Sequence, residues 1–315
     1  KSKIASFCNV DIDAVIESRD ASTIYEVPIL MKKQKLDSVI LKKLDLKSKK
    51  KIDLNNWIEF LSALKNPKDE VRIGVIGKYV ELQDAYKSIS EAIIHAGAYN
   101  SCKVEVEWIH SEKINNSTVK EKLKNLSGIL VAPGFGDRGM EGKIASIKYV
   151  RENNIPFFGI CLGMQSAVIE FSRNVLKLKN ADSTEMNINT EYPVIDLMKS
   201  QKNINEKGGT MRLGAYKCKL VNESIAKTAY KKNNISERHR HRFELNNKYK
   251  TKLEKAGMLA SGINEKNNLV EIIEIPNHRW FLGVQFHPEY KSTVSQPHPL
   301  FINFINACLK YKSNG

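Results

Sequence analysis

From about residue 70 to residue 175, the chain alternates short apolar runs with stretches of helical periodicity. Strands are predicted over 71–77, 104–109, 128–131 and 157–160, and helices over 84–96, 119–126, 142–152 and 165–175. This alternation indicates an α/β fold, with a doubly wound, largely parallel sheet and helices on both faces. The chemistry of such a sheet lies at the carboxyl ends of its strands.

The remaining segments depart from this alternation. Residues 3–10 look like a strand, short helices are predicted from 11 and from 25, and an amphipathic helix is predicted over 56–64. The polar segment 180–209 predicts a loop, and 257–285 returns to strand patterning. We therefore divide the chain into the end of an upstream domain at 1–45, a linker at 46–69 and a second domain at 70–315.

Composition and charge narrow the class of protein. Of the 315 residues, 42% are hydrophobic and 27% are charged, which is typical of a soluble globular protein. No apolar run approaches the roughly 20 residues that a membrane helix needs, and residues 1–10 lack the order of a secretory signal. Five scattered cysteines without a CxxC pair favour a cytosolic setting and argue against a zinc site.

The first candidate for chemistry is the run Gly-Ile-Cys-Leu-Gly at 159–163. Glycines on either side permit the sharp strand-to-helix turn of a nucleophile elbow, with a cysteine as its central residue. The helix N-terminus that follows favours thiolate over thiol. Cys161 is therefore a candidate nucleophile, although a lone cysteine in a glycine-rich turn is more often buried packing.

A second candidate lies at the end of the later strand pattern, where His287 is followed by Pro288 and Glu289. A thiolate nucleophile needs a neighbouring base, and that base needs an acid on its far ring nitrogen. Such partners meet in space rather than in sequence. A histidine beside one acidic residue is usually a surface feature, but Cys161, His287 and Glu289 together supply a complete set.

A third candidate is the glycine-rich run 131–139, which follows the predicted strand 128–131. Beside the elbow, such a turn offers a backbone N–H to an oxyanion, and the predicted donors are Gly134 and Leu162. Pro133 has no N–H and cannot contribute. The run also lacks the Gly-Lys-Ser/Thr ending of a phosphate-binding P-loop.

These three stretches resemble the glutaminase domain of the class I glutamine amidotransferases, and among them the CTP synthase family. Longer matches narrow the resemblance: GKYVEL at 77–82, DAYKS at 84–88, RG at 138–139, EGK at 141–143, ENNIP at 152–156, NADSTE at 180–185, GGTMRLG at 208–214 and ERHRHR at 237–242. FCNV at 7–10 and TIYEVP at 23–28 look like the end of that family's synthetase domain. The resemblance covers nearly the whole chain.

The resemblance implies a role for each matching residue. Cys161 would attack the side-chain amide of glutamine and release ammonia, His287 would carry the proton, and Glu289 would orient His287. The residues that match the family's glutamine contacts are Gly134, Leu162, Gly163, Met164, Gln165, Glu185 and Arg242. Glu185 would pair with the substrate ammonium. The glutaminase domain would need no cofactor and no metal.

The resemblance also implies properties of the full enzyme. Its synthetase domain would use ATP and magnesium to aminate UTP to CTP, GTP would activate the glutaminase step, and the enzyme would be a cytoplasmic homotetramer. Lys3, Arg19, Asp20 and Ala21 match positions near nucleotide in the family. Because most of the family's nucleotide residues are absent, we expect this chain alone to bind nucleotide poorly and not to make CTP.

One departure concerns the oxyanion loop. Family members commonly carry Pro-Gly-Gly-Phe-Gly where this chain carries Ala132-Pro133-Gly134-Phe135-Gly136. The glycine expected to donate is retained at Gly134. We therefore expect activity to be intact despite Pro133.

Two alternatives of other classes stay open. The net charge of +15 and the Arg238–Arg242 run are compatible with a nucleic-acid-binding module, although the sequence has no recognised binding motif. A catalytically silent regulatory domain is the other. His239-x-His241 suggests a metal site, but the flanking arginines would repel a cation, and the resemblance implies a structural or glutamine-proximal role.

Overall fold

The computed structural model of the chain describes residues 1–48, 52–197 and 211–313. Two compact units are present, Lys1–Asn66 and Pro67–Gly315. Part of the predicted loop, 198–209, and residues 208–210 of the GGTMRLG run lie outside the described residues. No helix in the described ranges is both long and apolar enough to cross a membrane.

The described part of the first unit is helical. Its helices are α1 Ser2–Cys8, α2 Val27–Lys33, α3 Leu36–Lys43 and α4 Asn55–Lys65. The Trp57 indole N–H donates to the Tyr25 carbonyl at 2.7 Å, and the Phe60 ring meets the Tyr25 ring edge-on at 4.9 Å. The helix of the predicted linker is therefore packed within this unit.

The prediction of a strand over residues 3–10 is wrong, because the chain forms α1 there. Ile4 and Phe7 are three residues apart, which is a helical spacing rather than the alternation of a strand. Asn9 then adopts a left-handed conformation (φ 53°, ψ 46°), and its N–H bonds back to the carbonyl of Ser6, which ends the helix.

The second unit contains twelve described strands and seven described helices. The strands are β1 Asp69–Gly77, β2 Cys102–His110, β3 Gly128–Val131, β4 Phe157–Ile160, β5 Ala181–Ser183, β6 Tyr192–Leu197, β7 Arg212–Leu220, β8 Asn234–His241, β9 Phe243–Leu245, β10 Leu259–Asn264, β11 Leu269–Glu274 and β12 Phe281–Val284. The helices are α5 Lys87–Tyr99, α6 Val119–Leu123, α7 Met140–Glu152, α8 Leu162–Asn174, α9 Ile225–Tyr230, α10 Asn247–Lys255 and α11 Pro299–Ser313.

Nine of the strands form one sheet in the order β2-β1-β3-β4-β12-β11-β10-β7-β8. The pairs from β2 through β12 are parallel, and the pairs from β12 through β8 are antiparallel. The parallel half is the alternation that the sequence predicts. The antiparallel half continues the sheet beyond β12 and consists of strands β11, β10, β7 and β8.

Helices cover both faces of the sheet, as predicted. Alternate residues of β4 belong to different hydrophobic clusters, Phe158 to one and Phe157 to the other. The cluster with Phe158 includes α5 and α11, and the cluster with Phe157 includes α7 and α8. Two cores on opposite faces are the doubly wound architecture.

The prediction of a loop over 180–209 is wrong in two places. Ala181–Ser183 and Tyr192–Leu197 are strands, which form a three-stranded sheet in the order β5-β6-β9. The sequence pattern hides them because β5 is only three residues long and the apolar residues of β6 do not alternate with polar ones. Their partner β9 is also only three residues long and comes much later in the chain.

Candidate active site

Cys161 lies between the end of β4 and the first residue of α8, and its backbone makes a sharp turn from the strand into the helix. Its φ of 53° and ψ of −104° are unusual for a residue with a side chain. The residue is 3% exposed, and its N–H donates to the Val284 carbonyl of the neighbouring strand at 2.7 Å. This is the strained elbow that the sequence predicts.

The two glycines of the elbow are required by close backbone approach. A Cβ on Gly163 would lie 2.2 Å from the carbonyl oxygen of Val131, and a Cβ on Gly159 would lie 2.8 Å from the backbone of Gly163. Neither neighbour can move, because both belong to the packed strand and helix. The Gly-x-Cys-x-Gly pattern therefore follows from the packing of α8 onto β3 and β4.

His287 arrives beside Cys161 because β12 runs parallel to β4. Gly283 pairs with Gly159 and Val284 with Ile160, so the chain leaves both strands at the same edge of the sheet. Three residues later His287 Nδ1 lies 2.7 Å from Glu289 Oε1, and both side chains are buried. The sheet thus brings together the three residues that the sequence separates.

The environment of His287 favours its charged form. Burial lowers the pKa of this imidazole, but the neighbouring Cys161 and Glu289 side chains outweigh burial and raise the pKa to about 11. The ring stacks on Tyr290 at 5.2 Å, and the backbone N–H donates to the Arg238 carbonyl. Glu289 holds Nδ1, which leaves Nε2 for proton transfer with Cys161, whose side chain interacts with this imidazole.

The glycine-rich loop after β3 closes one side of a small cavity. The cavity is lined by Gly134, Phe135, Cys161, Gln165, Glu185, His241, Arg242 and Phe243. Glu185 Oε1 accepts a hydrogen bond from the Gly136 N–H at 2.8 Å, which ties the loop to the segment after β5. Gly136 itself has a φ of +73°, a conformation suited to glycine.

The predicted substrate contacts fall into two groups. Gly134, Gln165, Glu185 and Arg242 line the cavity with Cys161. Leu162, Gly163 and Met164 do not line it. The Leu162 side chain lies 3.5 Å from the point where a Cβ on Gly134 would sit, Gly163 packs on Val131, and Met164 is fully buried in the core.

Gln165 and Gln285 form a polar link beneath the nucleophile. Gln165 Nε2 donates to the Phe243 carbonyl at 3.0 Å and to Gln285 Oε1 at 3.1 Å. Gln285 Nε2 in turn lies 3.7 Å from Cys161 Sγ and donates to it. A donor at this position stabilises negative charge on sulfur.

Sequence reasoning missed several residues of the site. Phe135 and Phe243 line the cavity next to predicted residues, and Gln285 contacts Cys161. Lys143 is fully buried, with Nζ 3.5 Å from the Ala132 carbonyl. One signal was present in the sequence, because Lys143 falls on the same helical face as Ile147 and Val150.

Behind the cavity, Arg212 lies between two buried carboxylates. Its guanidinium is 3.3 Å from Glu244 and 2.7 Å from Glu271, and it stacks on the Tyr216 ring at 4.3 Å. Burial raises the pKa of Glu271 and that of Glu244, and Arg212 opposes both shifts. This cluster connects β7, β9 and β11.

His239 and His241 belong to the same buried region. His239 Nδ1 lies 2.8 Å from His241 Nε2, and His241 Nδ1 lies 3.2 Å from the Phe243 carbonyl. Burial and the charge of Arg212 lower the pKa of His241 to about 3. Because a carbonyl only accepts, His241 Nδ1 carries the proton and His239 donates to Nε2. Among the described residues, no group of three or more His, Cys, Asp or Glu side chains is arranged to hold a metal ion.

The residues matched to a nucleotide site all lie in the first unit. Lys3 is in α1 and exposed, and Asp20 is exposed in the segment before α2. Arg19 pairs with Glu17 at 2.9 Å. Ala21 is half-buried.

Comparison with known proteins gives two matching families. The model of "Glutamine amidotransferase class-I" matches residues 81–307, and that of "CTP synthase N-terminus" matches residues 1–46. The CTP synthase of Cytophaga hutchinsonii is 62% identical over 307 residues, which is 98% of this chain and 57% of the relative. That of Flavobacterium johnsoniae is 62% identical over 309 residues, which is 98% of this chain and 58% of the relative. The chain therefore spans less than two thirds of the length of these relatives.

Two solved structures are similar to this one. The glutaminase domain of Trypanosoma brucei CTPS with bound acivicin has 38% identity and a TM-score of 0.72, over 76% of this chain and 94% of that one. A Thermoplasma acidophilum protein named as one of the subunits of a GMP synthase has 17% identity and a TM-score of 0.51, over 78% of this chain and 96% of that one, and shares the fold. The predicted class I amidotransferase-like fold is confirmed by these similarities.

Proposed function

Because this chain belongs to the CTP synthase family of class I glutamine amidotransferases, we propose that it hydrolyses L-glutamine to glutamate and ammonia. The observation that carries the proposal is the arrangement of three side chains. Cys161 stands on a strained elbow at the N-terminus of α8, next to a buried His287–Glu289 pair at 2.7 Å. A cysteine, a base and an orienting acid are what acyl transfer through a thioester requires.

In the first half of the reaction, the Cys161 thiolate attacks the side-chain amide carbon of glutamine. A carbon–sulfur bond forms, and the carbonyl electrons move to oxygen. When this tetrahedral anion collapses, the carbon–nitrogen bond breaks and the leaving nitrogen takes the proton of His287 Nε2. Ammonia departs and a γ-glutamyl thioester remains on sulfur.

In the second half, His287 acts as the base. Its neutral Nε2 removes a proton from water as the water oxygen attacks the thioester carbon. The carbon–sulfur bond then breaks, glutamate leaves, and the thiolate–imidazolium pair is restored. Glu289 holds the Nδ1 proton throughout, which keeps Nε2 as the nitrogen that gives up and takes back the reacting proton.

The anion formed in both halves needs hydrogen-bond donors. The Gly134 and Leu162 N–H groups are the proposed donors, and no hydrogen bond joins either of them to another group in the parts of the chain that the structure describes. Leu162 also begins α8, where the helix dipole favours negative charge. Such donors are effective because the protein orients them before the reaction starts.

The cavity provides opposite charges for the two ends of the amino acid. The Glu185 carboxylate suits the substrate ammonium, and the Arg242 guanidinium suits the substrate carboxylate. Gln165 completes the polar lining. The hydrogen bond from Gly136 to Glu185 means that substrate binding and the shape of the Gly134 loop are physically connected.

We further propose that the ammonia serves a synthetase domain that aminates UTP to CTP with ATP and magnesium. The support is the match of residues 1–46 to the CTP synthase N-terminus. Of the residues that match the family's nucleotide positions, Lys3 and Asp20 are exposed and Arg19 pairs with Glu17.

The regulation and assembly of the full-length protein are proposals of the same kind. GTP as an activator of the glutaminase step, a homotetramer and a cytoplasmic location rest on membership of the family. Activation by GTP is tested by measuring ammonia release from this chain with and without GTP.

The test of the proposed function is ammonia release from L-glutamine by the wild-type chain, Cys161→Ala and Cys8→Ala. We expect release by the wild type and by Cys8→Ala, since Cys8 is an exposed thiol of the first unit, and none by Cys161→Ala. Mass spectrometry after treatment with a glutamine-like chloroketone provides a second readout. Alkylation of Cys161 but not of Cys8 is expected, and equal labelling of both would overturn the proposal.

The same variants decide the two alternatives from other classes. A nucleic-acid-binding module would bind RNA or DNA in a salt-dependent manner that survives Cys161→Ala. A silent regulatory domain would neither release ammonia nor be alkylated selectively at Cys161.

A further inference from the structure

Lys143 is one of the largest fully buried side chains among the described residues, and nothing in the proposed reaction uses it. It lies in the first turn of α7 and is 0% exposed. Its hydrogen bond from Nζ to the Ala132 carbonyl is long at 3.5 Å. An ammonium buried with so little hydrogen bonding is unfavourable unless negative charge lies nearby.

The head of Lys143 lies at the oxyanion loop. Nζ is 3.8 Å from the point where a Cβ on Gly134 would sit, and Lys78 Cε is 3.6 Å from the same point. The Lys78 ammonium is committed to the Phe135 carbonyl. Two lysines from different elements therefore converge on the glycine that is the proposed oxyanion donor.

Close packing of α7 fixes this position. A Cβ on Gly142 would lie 1.8 Å from the Ser111 carbonyl oxygen, so the first turn of α7 is pressed against the segment after β2. Lys143, the next residue, is fully buried, and its Nζ reaches the Ala132 carbonyl just after β3. Its placement at the loop is a consequence of the fold rather than of a flexible side chain.

We propose that Lys143 is a positioning residue of this glutaminase site, whose buried ammonium holds the Ala132 carbonyl behind the Gly134 loop and balances the negative charge that forms at Cys161. The inference rests on the proposed function. It adds a source of charge that neither the elbow nor the His287–Glu289 pair supplies. Lys143 acts through the loop and through its field, without contacting the substrate.

Three ionisable groups from three elements act on Lys143. Burial lowers its pKa to about 7, and the charge of Lys78, after β1, lowers it as well. Cys161 at the elbow and Glu185 after β5 oppose this shift. The Lys143 side chain is therefore an ammonium below about pH 7 and loses its charge as the pH rises. Changing the pH thus removes the charge of Lys143 without changing the size of its side chain.

The experiment compares wild type, Lys143→Met and Lys143→Gln in the whole chain. The readout is the rate at which a glutamine-like chloroketone alkylates Cys161, measured from pH 6 to pH 9. Methionine keeps the length and removes charge and donor, whereas glutamine keeps a donor without charge. Lys148→Met, five residues along the same helix and half-buried away from the cavity, is the matched control.

We expect both Lys143 variants to react about tenfold more slowly than wild type at pH 6, and at a similar rate at pH 9, where Lys143 has lost its proton. Lys148→Met should follow wild type at every pH. Methionine removes a buried charge, so the Tm of Lys143→Met should be no lower than that of wild type. Slower alkylation in this variant could then not be explained by a folding defect.

A wild-type to variant ratio that stays constant with pH would assign Lys143 to packing and overturn the inference. Full recovery of the wild-type alkylation rate in Lys143→Gln would show that the ammonium charge is not needed and that residue 143 acts only through a hydrogen bond. That result would also overturn the inference. In both cases selective alkylation of wild-type Cys161 would leave the proposed function intact. Absence of that alkylation would instead overturn the proposed function and this inference with it.

Discussion

At the scale of single residues, the site depends on a small set of side chains whose neighbours set their protonation. His287 is held as an imidazolium because Glu289 and Cys161 outweigh the effect of burial on its pKa. The result is a buried imidazolium beside the Cys161 nucleophile in the resting protein, an arrangement that cysteine nucleophiles use in general. The nucleophile is thus paired with a cation before substrate arrives.

Replacing Glu289 tests the orienting acid. In Glu289→Gln the amide can no longer hold His287 as an imidazolium, and we expect the rate of ammonia release at saturating glutamine to fall about 10²–10⁴-fold. Glu265→Gln, at an exposed carboxylate paired with Lys219, is the control and should match wild type. Ammonia release by Glu289→Gln within threefold of wild type would contradict the assignment.

The raised pKa of His287 also predicts how stability changes with pH. The unfolded histidine titrates near its ordinary value of about 6.5, and the folded one near 11. Its contribution is complete below the unfolded pKa and is lost as the pH rises towards the folded pKa. The Tm of wild type should therefore fall from pH 7 to pH 10, and it should fall less in Glu289→Gln. Thermal unfolding followed by circular dichroism checks this, and parallel curves would refute it.

At the scale of elements, the elbow is a property of three packed pieces of backbone. The start of α8 lies so close to β3 that residue 163 has no room for a side chain. The strain at Cys161 is maintained by this contact and by the N–H bond to Val284. Element packing, rather than the cysteine itself, sets the geometry of the nucleophile.

Gly163→Ala should therefore damage both stability and chemistry. The added methyl would overlap the Val131 carbonyl, and we expect a loss of about 1–3 kcal/mol in the free energy of unfolding, together with loss of Cys161 alkylation. Gly128→Ala is a matched control, since its Cβ would lie 2.2 Å from Cys308 Sγ in a core remote from the elbow. Urea unfolding measures the loss of stability in both variants, and alkylation of Cys161 measures the damage to the elbow. Equal alkylation of Cys161 in the two variants would show that the elbow does not depend on Gly163.

At the scale of the whole molecule, Arg212 connects the two sheets of the second unit. It extends from β7 in the large sheet to Glu244 on β9 in the small sheet, and to Glu271 on β11. The small sheet carries Glu185 just after β5, and the cavity is lined by Phe243, the first residue of β9, and by Arg242 before it. The substrate side of the site thus depends on how these sheets meet.

Arg212→Met should leave Glu244 and Glu271 buried without a cation. We expect a loss of about 3–5 kcal/mol in the free energy of unfolding at pH 7, measured by urea unfolding. The loss should become smaller as the pH is lowered, because the raised pKa of each carboxyl favours its neutral form. Lys219→Met, which breaks an exposed pair with Glu265, should cost less than about 1 kcal/mol. Similar losses in the two variants would contradict the role of Arg212.

The sequence by itself determined features that depend only on residues close together in the chain. The period of apolar residues predicted the parallel half of the sheet and its helices, and Gly-x-Cys-x-Gly predicted the elbow, because both depend on neighbours within a few positions. The pattern failed where segments were short or weakly periodic. Residues 2–8 became a helix, and Ala181–Ser183 and Tyr192–Leu197 became strands.

The tertiary structure alone decided which distant groups meet. Parallel pairing of β12 with β4 delivers His287 and Glu289 to Cys161, and the antiparallel extension buries Arg212 between carboxylates from two sheets. The packing of α7 likewise buries Lys143 at the Gly134 loop. Desolvation and charge act through space, so their partners are fixed by packing and are not written in the local pattern of the chain.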